Sequence, residues 1–213
     1  MYRDRHDAGV RLAELLGELA LIDPLVLAIP RGGAEVAAPI AHALGASLDV
    51  LLAVKLRAPN QPELAIGAIA EGDPPVELVN RGMLSELRID EEELEAERAD
   101  RAWLLSRRAR RYRSSHLPPD LHGRTVVLVD DGAATGTTTI AAVRAAMRAG
   151  AVRTVLALPV APTGTASVLR READELVCPL VSARIHAVGQ AYADFSPVPE
   201  ERVLELLAVG ASG

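Results

Sequence analysis

The sequence predicts an α/β domain: a doubly wound, mainly parallel sheet with a helical insertion and a small C-terminal hood. Three observations predict it. Short apolar runs of strand length alternate with segments of helical period in both halves of the chain. Two of those runs, around 24–30 and 125–129, pass through a glycine-bearing turn straight into a helix-forming stretch. The 213 residues are 49% hydrophobic, enough for one sizeable core.

Residues 7–20 carry Val10, Leu12, Leu15, Leu16 and Leu19 at helical spacing, with Asp7 as the expected N-cap. PLVLAIP, 24–30, reads as a strand, and 35–45 as a helix stopped by Gly45. LDVLLAVKL, 48–56, reads as one buried strand, and AIGAIAEG, 65–72, as another. Between them, Arg57 to Glu63 is polar and proline-bearing, a loop by composition.

Residues 73–122 interrupt the alternation. VELVN, 76–80, suggests a small strand. Asp90 to Tyr112 reads as one long helix opened by an Asp90/Glu93 capping box. Acids at its start and arginines at its end complement the helix dipole. The run Arg107, Arg108, Arg110, Arg111, Arg113 reads as a solvated helix end rather than a nucleic-acid patch. Trp103 and Leu104 are expected to pack on the body or on a second subunit. Beyond this insertion come a strand at 125–129, a helix at 137–149 ended by Gly150, a strand at 152–160 and a helix at 163–173. A last core strand is expected at 174–178 and a docked helix at 199–208. The division is therefore a single domain, 1–213, with its core at about 21–72 and 123–180 and its hood at about 181–213.

A net charge of −6 gives no general attraction to nucleic acid or anionic membrane. Cys178 is the only cysteine, which excludes an intrachain disulfide and a multi-cysteine metal site. No signal peptide or membrane span is visible, so a cytoplasmic protein is expected.

The chemistry gathers on TVVLVDDGAATGTTT, residues 125–139. The period changes from strand to helix across a Gly-Ala-Ala-Thr-Gly turn, which aims several backbone N–H groups at one spot beside a helix N-terminus. That suits a phosphate. The threonine hydroxyls add donors. Asp130 and Asp131 sit at the carboxyl end of the strand, where open α/β sheets bind ligands. Carboxylates beside a phosphate cradle need a reason; sugar hydroxyls or a Mg²⁺ shell would supply one. Together these features suggest a ribose 5-phosphate. A Walker P-loop is excluded, because no lysine follows the glycines. Arg31-Gly32-Gly33 puts a guanidinium and bare amides at another strand end, which suits a pyrophosphate; taken alone, it is equally compatible with a plain turn. Lys55 is the only lysine among 23 basic residues, which hints at a position needing a compact charge.

VVLVDDGAATGTTT resembles the phosphoribosyl pyrophosphate (PRPP) motif of type I phosphoribosyltransferases. IPRGG is similar to the pyrophosphate loop of xanthine-guanine phosphoribosyltransferases. In the family that loop holds a non-proline cis peptide, here Pro30–Arg31. Orotate phosphoribosyltransferases look similar around Lys55, and the tail is similar to that of hypoxanthine-guanine phosphoribosyltransferases. The resemblance covers about 25–70 and 124–195 and leaves the insertion unexplained.

It implies Mg²⁺-dependent transfer of the ribosyl 5-phosphate group from PRPP to a nitrogen acceptor, releasing pyrophosphate, with a purine base the best-fitting acceptor. Ala133, Ala134, Thr135, Gly136, Thr137 and Thr138 would hold the 5-phosphate. Arg31, Gly32, Gly33 and Lys55 would hold the pyrophosphate. Asp130 and Asp131 would bind the ribose diol and, with Asp194, the Mg²⁺, directly or through water. Lys55 and Arg57 join the two aspartates as catalytic candidates. Arg57, Asn60 and Glu63 would lie in a mobile lid, and His186, Tyr192 and Phe195 would cover the base. A homodimer is expected, with no membrane or nucleic-acid partner. Two other readings stay open: a non-catalytic PRPP- or nucleotide-sensing regulator, and a phosphoribosyl hydrolase or phosphorylase.

Overall fold

A computed structural model describes residues 1–114 and 117–210. Helix α1 spans Arg5–Gly17 and is capped by Asp4, whose carboxylate accepts from the Asp7 amide. Asp7 therefore lies in the first turn and not at the cap. Both acids suit a cap, and the one three residues before the orphan amide takes the role. Strand β1 (Pro24–Ala28) leads through the arginine-glycine loop into α2 (Gly32–Leu44), which ends at Gly45 with a left-handed φ of 59°.

The apolar run 48–56 is two strands rather than one. β2 (Ser47–Val50) pairs parallel with β1, while β3 (Ala53–Ala58) pairs antiparallel with β4 (Gln61–Ala70). The break falls at Leu51 and Leu52: Leu51 N–H still donates to Ala28, but the Leu52 carbonyl accepts from Glu71. An unbroken hydrophobic run carries no signal of such a switch, because both sheets bury it. β5 (Val76–Val79) completes a three-stranded antiparallel sheet in the order β3-β4-β5. The boundary expected at residue 72 thus falls inside a sheet, held by the β4–β5 pairing.

Helix α3 (Arg81–Leu87) precedes α4 (Glu91–Tyr112), whose Asp90/Glu93 capping box forms as the sequence predicts. β6 (Thr125–Val129), α5 (Thr137–Arg148), β7 (Arg153–Ala157), β8 (Val160–Ala161), α6 (Thr163–Leu169), β9 (Glu175–Val177) and β10 (Leu180–Val181) follow. A 3-10 turn at Val188–Ala191 and α7 (Glu200–Gly210) close the described chain. β8 and β10 form a small parallel pair, and α7 packs on α2 and β2. Among the described residues no helix is long and apolar enough to cross a membrane.

The main sheet is parallel throughout, in the order β2-β1-β6-β7-β9. Alternate side chains feed two layers. Val26, Ala28, Val127, Val129 and Val155 pack against Leu12 and Leu16 of α1, Val36 and Ile40 of α2, and Val203 and Leu207 of α7. Leu25, Leu27, Val126, Leu128 and Leu156 pack against the alanine-rich face of α5 and Leu169 of α6. Each fully buried leucine or valine stabilises by about 1.5–3 kcal/mol relative to exposure. Gly9 lets α1 lie close on α2, since a Cβ there would stand 2.3 Å from the Val36 carbonyl oxygen. From β1 the chain winds outward one way to β2; from β6 it winds the other way to β7 and β9. The crevice between the carboxyl ends of β1 and β6 is therefore the topological switch point, where such sheets bind ligands.

Candidate active site

Both glycine loops meet at that crevice. Ile29 N–H donates to the Val129 carbonyl at 2.8 Å, locking the two strand ends together. The Pro30–Arg31 peptide is cis, as the resemblance implies. Gly32 lies against Asp131 so closely that a Cβ would stand 1.8 Å from Asp131 Oδ2, and a Cβ on Gly33 would stand 2.6 Å from the Val129 carbonyl oxygen. The two glycines are thus required by the neighbouring aspartate loop. Arg31 is exposed at the N-cap of α2.

On the other side, Gly136 caps α5 with φ 76°, and the first-turn amides of Thr137 and Thr138 have no intrahelical partner by helix geometry. Thr135 and Thr137 hydroxyls lie 3.3 Å apart, and Thr165 donates to the Ala134 carbonyl at 2.6 Å, fixing the turn. Ala133 departs from the expectation: it is buried and its N–H donates to Val160 at 3.1 Å. The free cradle therefore runs from Ala134 to Thr138.

The two acids have different surroundings. Asp131 Oδ2 accepts from Arg5 Nε at 2.8 Å, with the side chains only 16% and 7% exposed. Arg5 also donates to the Ser196 carbonyl at 2.8 Å and lies 3.9 Å over the Phe195 ring. Phe195 stacks on Tyr192, whose hydroxyl donates to the Asp131 carbonyl at 2.6 Å. Residues 2–3 pair with 191–194, so the N-terminus and the tail form one support behind Asp131.

Asp130 instead lines a cleft of about 310 Å³ with Pro30, Lys55, Arg57, Thr138 and the α4 residues Arg101, Leu104 and Arg108. Burial, and next the Asp131 charge, pushes the Asp130 carboxyl well above its ordinary range, against the pull of Lys55 and Arg5. Burial also raises Asp131, with Arg5 opposing. Asp130→Asn is therefore expected to stabilise the fold near neutral pH. The sign follows from linkage: a carboxyl raised in the fold costs stability as pH climbs above the ordinary carboxylate range, and costs nothing where both states are protonated. Thermal melts should show the gain shrinking towards zero as pH falls into that range; a gain that grows there would contradict it.

Several expected site residues lie elsewhere. Tyr192 is buried behind Asp131, and burial raises its hydroxyl pKa, so it holds the backbone instead of covering a base. Phe195 is occupied by Arg5 and Tyr192. Asp194 accepts from the Ser196 amide and hydroxyl and lines a separate cleft with Asp4 and Glu35. His186 is exposed, its amide donating to Gln190.

The lid segment is a hairpin: Arg57 pairs with Ala65 and Ala58 with Gln61, Asn60 takes a left-handed φ of 60°, and Arg57 N–H donates to Glu97 of α4. Register shifts beside Arg57 absorb the irregular sequence that composition alone reads as a loop. Nor is the basic run of α4 uniformly solvated. Arg111 pairs with Glu200 and Glu201, and the half-buried Arg113 pairs with Glu71. Trp103 is 59% exposed, with Arg107 5.0 Å over its ring; Leu104 is the one that packs inward.

The two glycine loops, the paired aspartates and a helix N-terminus thus meet at the switch point. Residues 11–193 match the family model of the phosphoribosyl transferase domain, and the chain belongs to that family. Proteins provisionally named phosphoribosyl transferases in two Mycobacterium tuberculosis strains are 40% identical over 207 residues, 97% of this chain and 46% of theirs. The chain thus spans about half the length of those curated relatives. The crystal structure of TT1426 from Thermus thermophilus superposes with a TM-score of 0.81 at 42% identity, covering 97% of both chains. The AQ2163 protein of Aquifex aeolicus, 14% identical with a TM-score of 0.50, covers 83% of this chain and 74% of its own and shares the fold.

Proposed function

We propose that the protein moves the ribosyl 5-phosphate group of PRPP to a nitrogen acceptor and releases pyrophosphate. The observation that carries this is the meeting, at one switch point, of an unpartnered helix N-terminus and a cation-lined cleft with Asp130 facing it. The 5-phosphate sits on the amides and hydroxyls of residues 134–138. Asp130 accepts from a ribose hydroxyl, while Asp131, held by Arg5, positions the Gly32 loop. The C1–O bond to pyrophosphate breaks with its electron pair on the leaving oxygen, which Arg31 and Lys55 neutralise. The acceptor nitrogen bonds to C1, and its proton passes to the negatively charged departing pyrophosphate. Positioning and charge neutralisation provide the acceleration.

Mg²⁺ would enter this site with the substrate's phosphates, because Asp130 lines the cleft while Asp131 is tied to Arg5. Asp130 is the carboxylate placed to meet its water shell, and the ion would supply further neutralisation of the pyrophosphate. A purine base is the first acceptor class to test; its support is the Arg-Gly-Gly loop, because Tyr192 and Phe195 are occupied.

A second reading, a PRPP-sensing regulator, is favoured by one observation: the expected lid is a hairpin tied to α4.

The cradle has a direct test. Calorimetry with PRPP on a Thr135→Ala, Gly136→Val variant should show at least a tenfold weakening, about 1.4 kcal/mol or more. Equal affinity for variant and wild type would remove the phosphate assignment.

A further inference from the structure

Helix α4 buries a stripe made of Leu94, Leu105 and Tyr112, with Leu104 and Ala109 packed against the same core. Positions 101 and 108 follow 94 at seven-residue steps, so they fall on that inward stripe. An apolar residue is the expectation at both; arginine stands at both.

Each arginine keeps a buried Nε–H without a hydrogen-bond partner among the described residues. Arg101 Nε lies 3.1 Å from Glu97 Oε1 but is buried without a hydrogen-bond partner, and that Glu97 oxygen already accepts from the Arg57 amide. Arg108 Nε is also buried without a partner among the described residues. Turning such donors inward is costly unless a ligand completes them.

Both side chains, with Leu104 between them, line the Asp130 cleft together with Lys55 and Arg57. Four cationic residues and one carboxylate thus line the cleft, Arg101 also pairing with Glu97, and among the described residues no aromatic ring lines the space. The two α4 positions are about 10 Å apart along the helix axis, a span that two arginine side chains close onto a single diphosphate.

We propose that Arg101 and Arg108 are binding residues for the pyrophosphate group, so that the insertion helix forms the anion-binding roof of the site. This rests on the transferase reading above and extends it to α4. As the C1–O bond breaks, the electron pair and growing negative charge pass to the pyrophosphate oxygen. Guanidinium groups, always charged and able to donate two hydrogen bonds to one phosphate, stabilise that oxygen. A site needing no mobile lid agrees with the hairpin at 57–61.

The test is calorimetry on wild type, Arg101→Gln/Arg108→Gln and Arg101→Lys/Arg108→Lys, each with Mg²⁺-pyrophosphate, ribose 5-phosphate and PRPP. Glutamine keeps polarity and length, and ribose 5-phosphate reports an intact cradle. The glutamine pair should lose about thirtyfold or more in pyrophosphate affinity, with ribose 5-phosphate unchanged within about twofold and the lysine pair in between. The glutamine pair binding pyrophosphate like wild type would overturn the proposal, as would a wild type that binds no pyrophosphate. Arginine-dependent pyrophosphate binding without any PRPP binding would keep the anion site and remove the transferase reading.

Discussion

Gly32→Ala is expected to lower PRPP-dependent turnover by about a hundredfold or more, the scale of a misplacement near 1 Å in a positioned site. The cause is local. The new methyl would stand 1.8 Å from Asp131 Oδ2 and 2.9 Å from Arg5 Nε. Neither group has room to yield, because the carboxylate is in its ion pair and the guanidinium lies on Phe195. The loop must move instead, and with it the amides and Arg31 that would bind the pyrophosphate on the proposed reading. The sheet should be untouched, since the loop stands at its mouth. Circular dichroism matching wild type, with turnover down, is the expected pair of results. Turnover near wild type would show that the packing of the two loops does not matter.

Arg5→Ala is expected to destabilise the fold by about 3–5 kcal/mol, the scale for leaving one member of a buried ion pair uncompensated. Arg5 opposes the burial that raises the Asp131 carboxyl, so its loss leaves burial to raise it further. A carboxyl raised in the fold costs stability above the ordinary carboxylate range and none below it. The deficit in urea unfolding should therefore be largest near neutral pH and shrink as pH falls into that range. Asp131→Asn in the Arg5→Ala background should restore part of the loss, because it removes the stranded charge. No rescue by that second change would show that Arg5 acts through its stacking on Phe195 alone.

Much of the parallel core was legible because a buried parallel sheet has a plain signature. β1, β6 and β7 are short apolar runs followed by glycine or helical period, and the structure places each within two or three residues of its expected bounds. The aspartate-glycine-threonine stretch was legible for a related reason: strand, turn and helix N-terminus are all local, so their relation needs no knowledge of tertiary contacts.

What the sequence hid is non-local. Arg5 lies 126 residues from Asp131, in a segment whose period reports only an amphipathic helix. Tyr192 and Phe195 were legible as an aromatic pair but not as a support for Arg5, since their partners come from the other end of the chain. Arg101 and Arg108 were masked by composition, because a helix with many arginines reads as solvated. Their inward register becomes visible once Leu94, Leu105 and Tyr112 are known to be buried. The split of 48–56 into two strands left no mark, as Leu51 and Leu52 are apolar in either sheet.

On the proposed reading this switch-point site transfers a ribosyl phosphate and does not merely bind one. The direct measurement is pyrophosphate release from PRPP and Mg²⁺ across a panel of nitrogen bases, on wild type and on Asp130→Asn/Asp131→Asn. The account predicts base-dependent release by wild type and a loss of about a hundredfold or more in the variant, the scale of removing a positioned polar group from a catalytic site. PRPP binding by wild type with no pyrophosphate released in the presence of any base would contradict it.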